Sequence, residues 1–397
     1  MEIKLIETIE GFRRLEPEWN AALEESRNPS PFMTFEWISS YVDVFHASIR
    51  LFIVTARQDS RLAGIAPLML DGDRRLVFIG YPHNDYADFI IPREGTPVLA
   101  ELCDFLHDQR RRWKKVILDQ MQEESSHWRE IDAHLSARDH PHRVLLSDSC
   151  PAMILDDLKA ARSKYYKRNI TTYVNWYQSQ GTFTFGTCET KEEALARLED
   201  LFAQHITRRD QTPFPSQFND AGICDFYRKF VDRMFPRGLV LLPTLTLNDE
   251  FLALYLAFPY RNTLYLYTTS FNGAHARRSP GQVILRYLFD YAVERKMGQL
   301  DFARGDEGYK DRFANVFRQN RKIIVYRNGL ARASADRFHA FRYSGIISRL
   351  YRNRRVTQTR NVFLYHRRKE GLFAGLLKAV ATLFASAAKK EGQDAKD

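Results

Sequence analysis

Cysteine is scarce in this sequence, and no two cysteines lie close together along the chain. The 397 residues include four, and they are widely spaced: Cys103, Cys150, Cys188 and Cys224. Zinc sites and redox-active disulfides need cysteines at short, defined spacings, so the sequence predicts neither. We expect free thiols in a reducing compartment and no bound metal.

An export signal is also missing from the first residues. The segment MEIKLIETIEGF carries glutamates where a signal peptide needs a basic start and then an apolar run. We therefore expect a cytoplasmic protein. No Ser-His-Asp or Cys-His arrangement is evident either, so the sequence offers no motif for catalysis by a side-chain nucleophile.

Apolar residues, by contrast, are abundant. Hydrophobic residues make up 44% of the chain and aromatic residues 13%. A chain of this length and composition is too apolar to be disordered and is long enough for two domains with their own cores. No internal sequence repeat is visible.

Charge is distributed unevenly along the chain. The whole sequence has 59 Lys and Arg against 49 Asp and Glu, and residues 331–397 hold 15 of the former and only 5 of the latter. The first 330 residues therefore carry 44 of each kind and are neutral. The net charge of +10 belongs to a tail, which argues against nucleic-acid binding by the fold itself.

The most informative stretch runs from Arg277 to Lys310. Its Ser279, Pro280 and Gly281 predict a tight turn into a helix, whose apolar residues recur with helical spacing at Val283, Ile284, Tyr287, Leu288, Tyr291 and Ala292. The first N–H groups of a helix have no partners within it and suit a phosphate or pyrophosphate. Such a turn is more often only a helix start. Phosphate binding by residues 279–282, which include Gln282, is thus a hypothesis.

A group of polar residues follows the next predicted strand, Gln299 to Ala303. It lies on a loop and the start of a short helix, and it comprises Arg304, Asp306, Glu307, Tyr309 and Lys310. Mixed charges after a strand usually form a solvated loop. Their place after the strand, turn, helix and strand makes them candidate site residues.

This order of elements resembles the acyl-CoA N-acyltransferase (GNAT) superfold. It is closer to the tandem-GNAT group, with its CelD-like proteins of polysaccharide operons, and is more distantly similar to the Fem peptidyltransferases. The specific matches are SPGQVIL and DFARGDEGYKDRF; weaker ones are PFMTFEWISSYVDVF, NDYADFI and HITRRD. Gly273 and Gly281 are separated by seven residues, so this turn is poorer in glycine than that of ordinary GNAT acetyltransferases. The resemblance therefore implies the fold more strongly than it implies acetyl-CoA as the donor.

The resemblance implies an α/β (α+β layered) fold of two tandem GNAT-like lobes, each a mixed twisted sheet flanked by helices. Their expected limits are 1–155, without a cofactor site, and 156–330, with a basic amphipathic helical tail at 331–397. Expected strands include NDYADFIIP, Gly238 to Leu247 and Lys322 to Tyr326, the last closing the second lobe. A single helix from Leu158 to Gln178 links the lobes, and its Lys164, Lys167 and Arg168 are expected to face solvent.

The resemblance also assigns roles to residues. Asp306 or Glu307 would accept the proton of an amine, and Lys310, with Tyr309, would donate to the developing oxyanion or to a donor phosphate. Lys310 and Phe313 look like the lysine and phenylalanine of the Fem signature. Four residues are expected to contact the acceptor or the same cleft: Asp85, Tyr86, His205 and Arg304. For His205 and for the pair of Asp85 and Tyr86, incidental or structural roles stay open.

The tail adds a separate expectation. Seven apolar residues fall on one helical face between 372 and 384, behind an arginine-rich segment with interleaved aromatic residues. Eighteen residues around Lys378 are marginal for crossing a bilayer, so a helix lying on an anionic membrane surface fits better. The alternative is an amphipathic helix packed on the second lobe.

The sequence thus predicts a cytoplasmic N-acyltransferase, peripheral at the inner face of the membrane. It would use acyl-CoA as co-substrate and an amine on a sugar, lipid or glycan precursor as acceptor, in exopolysaccharide or cell-envelope synthesis. Two further possibilities stay open: a Fem-like transferase that uses aminoacyl-tRNA, the one case in which nucleic acid is a partner, and a non-catalytic scaffold subunit of polysaccharide synthesis.

Overall fold

A computed structural model describes residues 1–92, 97–210, 212 and 215–334. The first half of the chain contains β1 (Glu2–Ile6), α1 (Ile9–Arg13), α2 (Glu16–Glu24), α3 (Phe35–Phe45), β2 (Arg50–Gln58), β3 (Arg61–Leu70), β4 (Arg75–Phe78), α4 (Val98–Asp108), β5 (Lys115–Met121), α5 (His127–Ala137) and β6 (His142–Ile154). The second half contains α6 (Leu158–Tyr165), α7 (Arg168–Gln180), β7 (Phe183–Gly186), α8 (Lys191–Asp210), α9 (Ala221–Met234), β8 (Thr244–Leu247), β9 (Glu250–Tyr260), β10 (Thr263–Phe271), α10 (Pro280–Glu294), β11 (Gln299–Asp301) and β12 (Val316–Tyr326). Short 3-10 helices lie at Pro31–Met33, Gln217–Asn219, Phe235–Arg237, Gly273–Arg278 and Lys310–Arg312.

The strands of the described ranges join in one mixed sheet, in the order β1-β2-β3-β4-β5-β12-β6-β11-β10-β9-β8-β7. Two neighbouring pairs are parallel, β4 with β5 and β10 with β11, and the other pairs are antiparallel. A helix connects each parallel pair, α4 in the first half and α10 in the second. The two halves therefore share one design, as the predicted tandem arrangement requires.

The last strand lies in the first half of the sheet. We predicted a strand at Lys322 to Tyr326 that closes the second lobe, but β12 begins at Val316 and pairs with β5 on one side and β6 on the other. Its Ile323 and Val325 enter the apolar core beside Trp113 and Val116. Burial of these two side chains favours this position of β12. The apolar pattern of the strand could not predict it, because the pattern does not specify which of two similar cores the strand will join.

Aromatic side chains also join the halves. Trp37, from α3, is fully buried and lies edge-on to Phe226 and Phe230 of α9, with ring centroids 4.8 and 4.9 Å apart. Arg233 of α9 forms an ion pair with Asp43 of α3. The division predicted at residue 155 stays a prediction, and the sheet runs continuously across it.

The predicted linking helix is in fact two helices. It breaks at Tyr166 and Lys167, between α6 and α7. Tyr165 stacks on Phe289 at 4.6 Å, while the hydroxyl of Tyr166 donates to Asp290. The two adjacent tyrosines at the break therefore both contact α10, one through its ring and the other through its hydroxyl.

Two predicted strands are shorter or absent. NDYADFIIP forms only a single bridge, between Ile90 and Ile65, because the Asp88 carboxylate takes the N–H of Phe89 and competes with a strand ladder. β8 begins at Thr244 rather than Gly238, since Pro243 has no N–H to donate.

The chain divides into two compact units, Met1–Leu201 with Gly222–Arg332 and Phe202–Ala221 with Ala333–Asp397. All the strands above belong to the first unit. In the described part of the second unit, Phe202 and Phe218 pack with ring centroids 4.4 Å apart. The apolar helix predicted over 371–388 lies outside the described residues.

Candidate active site

The parallel pair β10 and β11 positions a group of buried polar side chains. The two strands pair only over Thr263–Tyr265 and Gln299–Asp301, although β10 continues to Phe271. A register shift between Leu266 and Thr268 bends β10 at this point. Crevices at the carboxyl ends of parallel strands are where α/β sheets bind ligands. The chain after β11 enters this region.

Lys310 opens the 3-10 turn that follows β11, and it is only 5% exposed. Its ammonium nitrogen donates to the carbonyl of Arg304 at 2.7 Å and pairs with the Glu307 carboxylate at 2.9 Å. Gly305, with φ +126°, makes this arrangement possible, because a Cβ there would collide with Glu307 Oε2 and lie 3.0 Å from Lys310 Nζ. The turn therefore fixes the cation in place.

Asp85 reaches this turn from the first half of the chain. Its carboxylate forms an ion pair with Nε of Arg304 at 2.8 Å and accepts the backbone N–H of Arg304 at 3.3 Å. The Arg304 guanidinium also donates to the Pro82 carbonyl. Residues 219 positions apart in sequence are thus held together by charge-assisted hydrogen bonds.

Tyr86 makes a second link between the halves. Its hydroxyl donates to Asp301 Oδ1 at 2.7 Å, and the same oxygen accepts the N–H of Ala303 at 2.7 Å. The other oxygen of Asp301 lies 3.6 Å from the Arg318 guanidinium. We call Asp85, Tyr86, Asp301, Arg304 and Lys310 the interlobe cluster.

Burial sets the protonation of these groups. It raises the pKa of Asp85 to about 6, against the opposing charges of Arg304 and Lys310. Burial likewise raises the pKa of Asp301 to about 6, and the hydrogen bond from Tyr86 opposes that rise. The charge of Asp301 also raises the pKa of Asp85. Two carboxyls that titrate near neutrality are suited to proton transfer.

Polar side chains that the sequence analysis missed form hydrogen bonds next to the cluster. The Asn320 amide of β12 donates at 2.9 Å to the Asp85 carbonyl and also to Gln120 Oε1. Gln120 in turn donates to Asp148 at 2.6 Å. Asp301 was missed as well. The position of Asp301 at the end of a buried strand is a signal that could have identified it. Asn320 has no such signal in the sequence, because its role depends on the position of β12 between β5 and β6.

The predicted phosphate-binding turn lies between β10 and α10. Ser279 adopts a left-handed conformation and α10 begins at Pro280. The N–H groups of Gln282 and Val283 both donate to the Ser279 carbonyl, at 2.8 and 3.1 Å. Two N–H groups at the start of this helix therefore already have an acceptor. The groups left to bind an anion here are the N–H of Gly281 and the side chains of the adjacent Arg277 and Arg278.

Asp306, Tyr309 and His205 are three further predicted site residues. Asp306 is exposed, and Tyr309 is half-buried against the apolar core around α10. His205 lies in the second compact unit, where its Nδ1 is 2.7 Å from the Ser216 hydroxyl. Burial lowers the pKa of His205 to about 3, with Arg208 and Arg209 adding to the effect, so its ring is neutral. Their proposed roles stay predictions.

Comparison with known proteins identifies the domain that carries this turn and helix. A family model described as an acetyltransferase (GNAT) domain matches residues 164–311. Residues 164–311 are therefore similar to a GNAT domain. No curated protein matches the chain at a significant level.

Solved structures extend the likeness to the whole tandem arrangement. FemX superposes with a TM-score of 0.57 at 12% identity, over 84% of this chain and 99% of FemX. A conserved protein of unknown function from Bacteroides thetaiotaomicron gives 0.52 at 10% identity, over 82% and 100%. The C-terminal domain of a protein described as a putative lysylphosphatidylglycerol synthetase, from Agrobacterium fabrum, gives 0.51 at 10% identity, over 82% and 96%. At these identities the likeness shows the fold alone.

These findings confirm the predicted fold of tandem GNAT-like lobes, and they confirm the acyltransferase class of the GNAT domain. Within the described ranges, no three His, Cys, Asp or Glu side chains are placed to hold a metal ion. No helix in those ranges has both the length and the apolar character to span a bilayer. All four cysteines are free.

Proposed function

We propose that the chain transfers an acyl group from an acyl-CoA-type thioester to an amine. The observation that carries this proposal is the interlobe cluster, where two buried carboxyls and a buried lysine meet at the carboxyl end of the parallel strands of a GNAT domain. Amine acylation needs an acceptor for the amine proton and a donor for the oxyanion. The cluster contains both.

In the proposed reaction the amine nitrogen attacks the thioester carbonyl, and the carbon–sulfur bond then breaks. Lys310 donates to the oxygen that becomes negative, and the carboxyl pair of Asp85 and Asp301 accepts the proton that the amine loses. The carboxyl pair then gives up this proton, which the departing thiolate takes, so that the sulfur leaves as a thiol. Glu307, which pairs with Lys310 on the exposed side, positions the ammonium group.

Positioning is the larger contribution in this scheme. Holding two reactants in line is worth up to about 7 to 11 kcal/mol in favourable intramolecular models. A single general acid or base contributes about a hundredfold to ten-thousandfold. The rigid contacts of the interlobe cluster fit this division, because each charged group there is held by at least one hydrogen bond or ion pair.

The residues at the start of α10 are the proposed site for the donor. Gly281 and the neighbouring Arg277 and Arg278 would contact the pyrophosphate of CoA, the first through its N–H and the others by charge. Ser279, Pro280 and Gln282 shape the turn. The acceptor proposed is an amine on a sugar, lipid or glycan precursor, used in exopolysaccharide or cell-envelope synthesis.

Binding of CoA tests the donor assignment. A leucine side chain at Gly281 would start 3.3 Å from the Phe271 ring and cover the helix start, so Gly281→Leu should weaken binding of CoA and acetyl-CoA at least about tenfold by calorimetry. Gly72→Leu is the matched control, because a Cβ there meets nothing within 4 Å. A wild-type protein that binds neither ligand would remove CoA as the donor.

A second candidate donor is aminoacyl-tRNA. The resemblance of Lys310 and Phe313 to the Fem signature motivates this candidate, and the superposition with FemX, over 99% of that chain, adds the shared fold. Two measurements separate the two donors. Incubation with charged and uncharged tRNA shows whether the protein binds tRNA, and mass analysis of co-purifying small molecules shows whether it binds CoA. Binding of charged tRNA without CoA binding would select aminoacyl-tRNA. Binding of neither donor would favour a non-catalytic scaffold role.

A further inference from the structure

A group of cations contacts the turn that carries Lys310. The helix break at Tyr166 and Lys167 directs Lys167 to the carbonyl of Arg312, at 3.2 Å. Lys164 donates to the carbonyl of Ala314, two residues further along the same turn. We had expected these lysines to face solvent, but each contacts a backbone carbonyl instead. Both are half-buried, whereas Arg312 is exposed.

The cations repel one another. Burial lowers the pKa of Lys167, and the positive charges of Lys164 and Arg312 lower it further. Like charges that repel one another destabilise the folded chain unless an anion lies between them. An ammonium has three N–H donors, and the backbone carbonyl takes only one from each lysine. The remaining donors are available to a ligand.

Two arginines extend the group along α6 and α10. The guanidinium carbons of Arg162 and Arg286 lie 4.1 and 4.0 Å from the centre of the Tyr166 ring. Asp290 is the acid beside them, and it accepts the Tyr166 hydroxyl at 2.6 to 2.7 Å. Asp311 is exposed on the turn itself, and Asp157 caps α6. Positive charge therefore predominates at this surface, although the first 330 residues are neutral.

We propose that Lys164, Lys167 and Arg312 form a binding site for a phosphate monoester or a diphosphate. Three cations would leave excess charge around a single phosphodiester, while a monoester carries about −1.5 to −2 at neutral pH and a diphosphate more. The site uses none of the residues at the start of α10 and does not depend on which donor the enzyme uses. Because both lysines hold carbonyls of the 310–314 turn, its ligand also braces the backbone of Lys310.

Titration of the full-length protein with inorganic pyrophosphate tests the site. Lys164→Gln, Lys167→Gln and Arg312→Gln should each weaken binding about tenfold or more by calorimetry, the scale of one charge-assisted hydrogen bond. Arg61→Gln, which removes an exposed cation of β3, should bind as wild type does. Pyrophosphate should also raise the melting temperature of the wild type more than that of the three variants.

The outcomes separate this site from the donor assignment. Unchanged pyrophosphate affinity in all three folded variants would overturn the site, whether or not CoA binds. Affinity that depends on the three cations would support it even if CoA never binds. If the three variants lose equal affinity for CoA and for dephospho-CoA, the site does not bind the 3′-phosphate of CoA and holds another phosphate. A short RNA that displaces pyrophosphate at lower concentration would overturn the small-ligand class.

Discussion

Two buried aspartates decide how the interlobe cluster responds to pH. Asp85 is 4% exposed and Asp301 is 2% exposed, yet each keeps a cationic neighbour. Desolvation outweighs those cations and raises the pKa of both carboxyls to about 6. Because they interact, they titrate as a pair, and a measured value belongs to the pair.

Activity should therefore fall as the pH drops through about 6, because the protonated carboxyls can no longer accept the amine proton. The Tyr86 hydrogen bond lowers the pKa of Asp301, so Tyr86→Phe should move this acidic limb of kcat/KM to higher pH. Tyr260→Phe removes a hydroxyl that bonds Glu24 instead and should leave the limb in place. The same limb in all three proteins would mean that Asp301 does not control the rate.

At the scale of single elements, the turn from Arg304 to Ala314 is the most constrained segment of the site. Its left-handed Gly305 admits the ion pair of Lys310 with Glu307, and its carbonyls accept from Lys164 and Lys167. Strand β12 begins directly after it. The turn is thus held from several sides before any substrate binds.

Lys310 and Glu307 should differ in their effect on turnover. Lys310→Met removes a buried cation and should lower kcat at least about a hundredfold, the scale of one oxyanion donor. Glu307→Gln keeps a hydrogen-bond acceptor on an exposed side chain and should cost less, since in the proposed reaction Glu307 positions the lysine and does not take the proton. Single-turnover assays measure both, with melting curves to show that the variants fold. Wild-type turnover in Lys310→Met would reduce the turn to a structural role.

At the scale of the whole molecule, one sheet runs continuously across the boundary that we predicted at residue 155. β12 supplies a central strand to the first half, and β6 lies between β12 and β11. The interlobe cluster depends on this arrangement, because Asn320 of β12 holds the Asp85 carbonyl. The domain that matches the GNAT model therefore needs the first half for its candidate acceptor site.

The basic tail carries the proposed membrane association. A chain that ends after Lys369 keeps the arginine-rich segment but loses the predicted apolar helix, so it should lose most binding to vesicles of anionic lipid. Binding of the full-length protein should weaken with salt. Vesicle sedimentation measures both. A shortened chain that melts several degrees lower, beside a full-length protein that ignores vesicles, would place the helix in the fold.

The amino-acid order by itself determined the local features of this protein. The apolar spacing after Pro280 predicts α10, the short apolar run after it predicts β11, and the charge count separates the tail from the neutral fold. These depend on neighbours along the chain, which sequence records directly. The tandem GNAT resemblance rested on the same local order.

Tertiary structure alone decided which distant residues meet. The exchange of β12 into the first half, the contact of Asp85 with Arg304 and the hydrogen bond of Tyr86 to Asp301 each join residues that are far apart in sequence. Two similar cores compete for one apolar strand, and burial of a carboxyl depends on everything packed around it. Sequence patterns specify neither, so the protonation state of the interlobe cluster follows from packing.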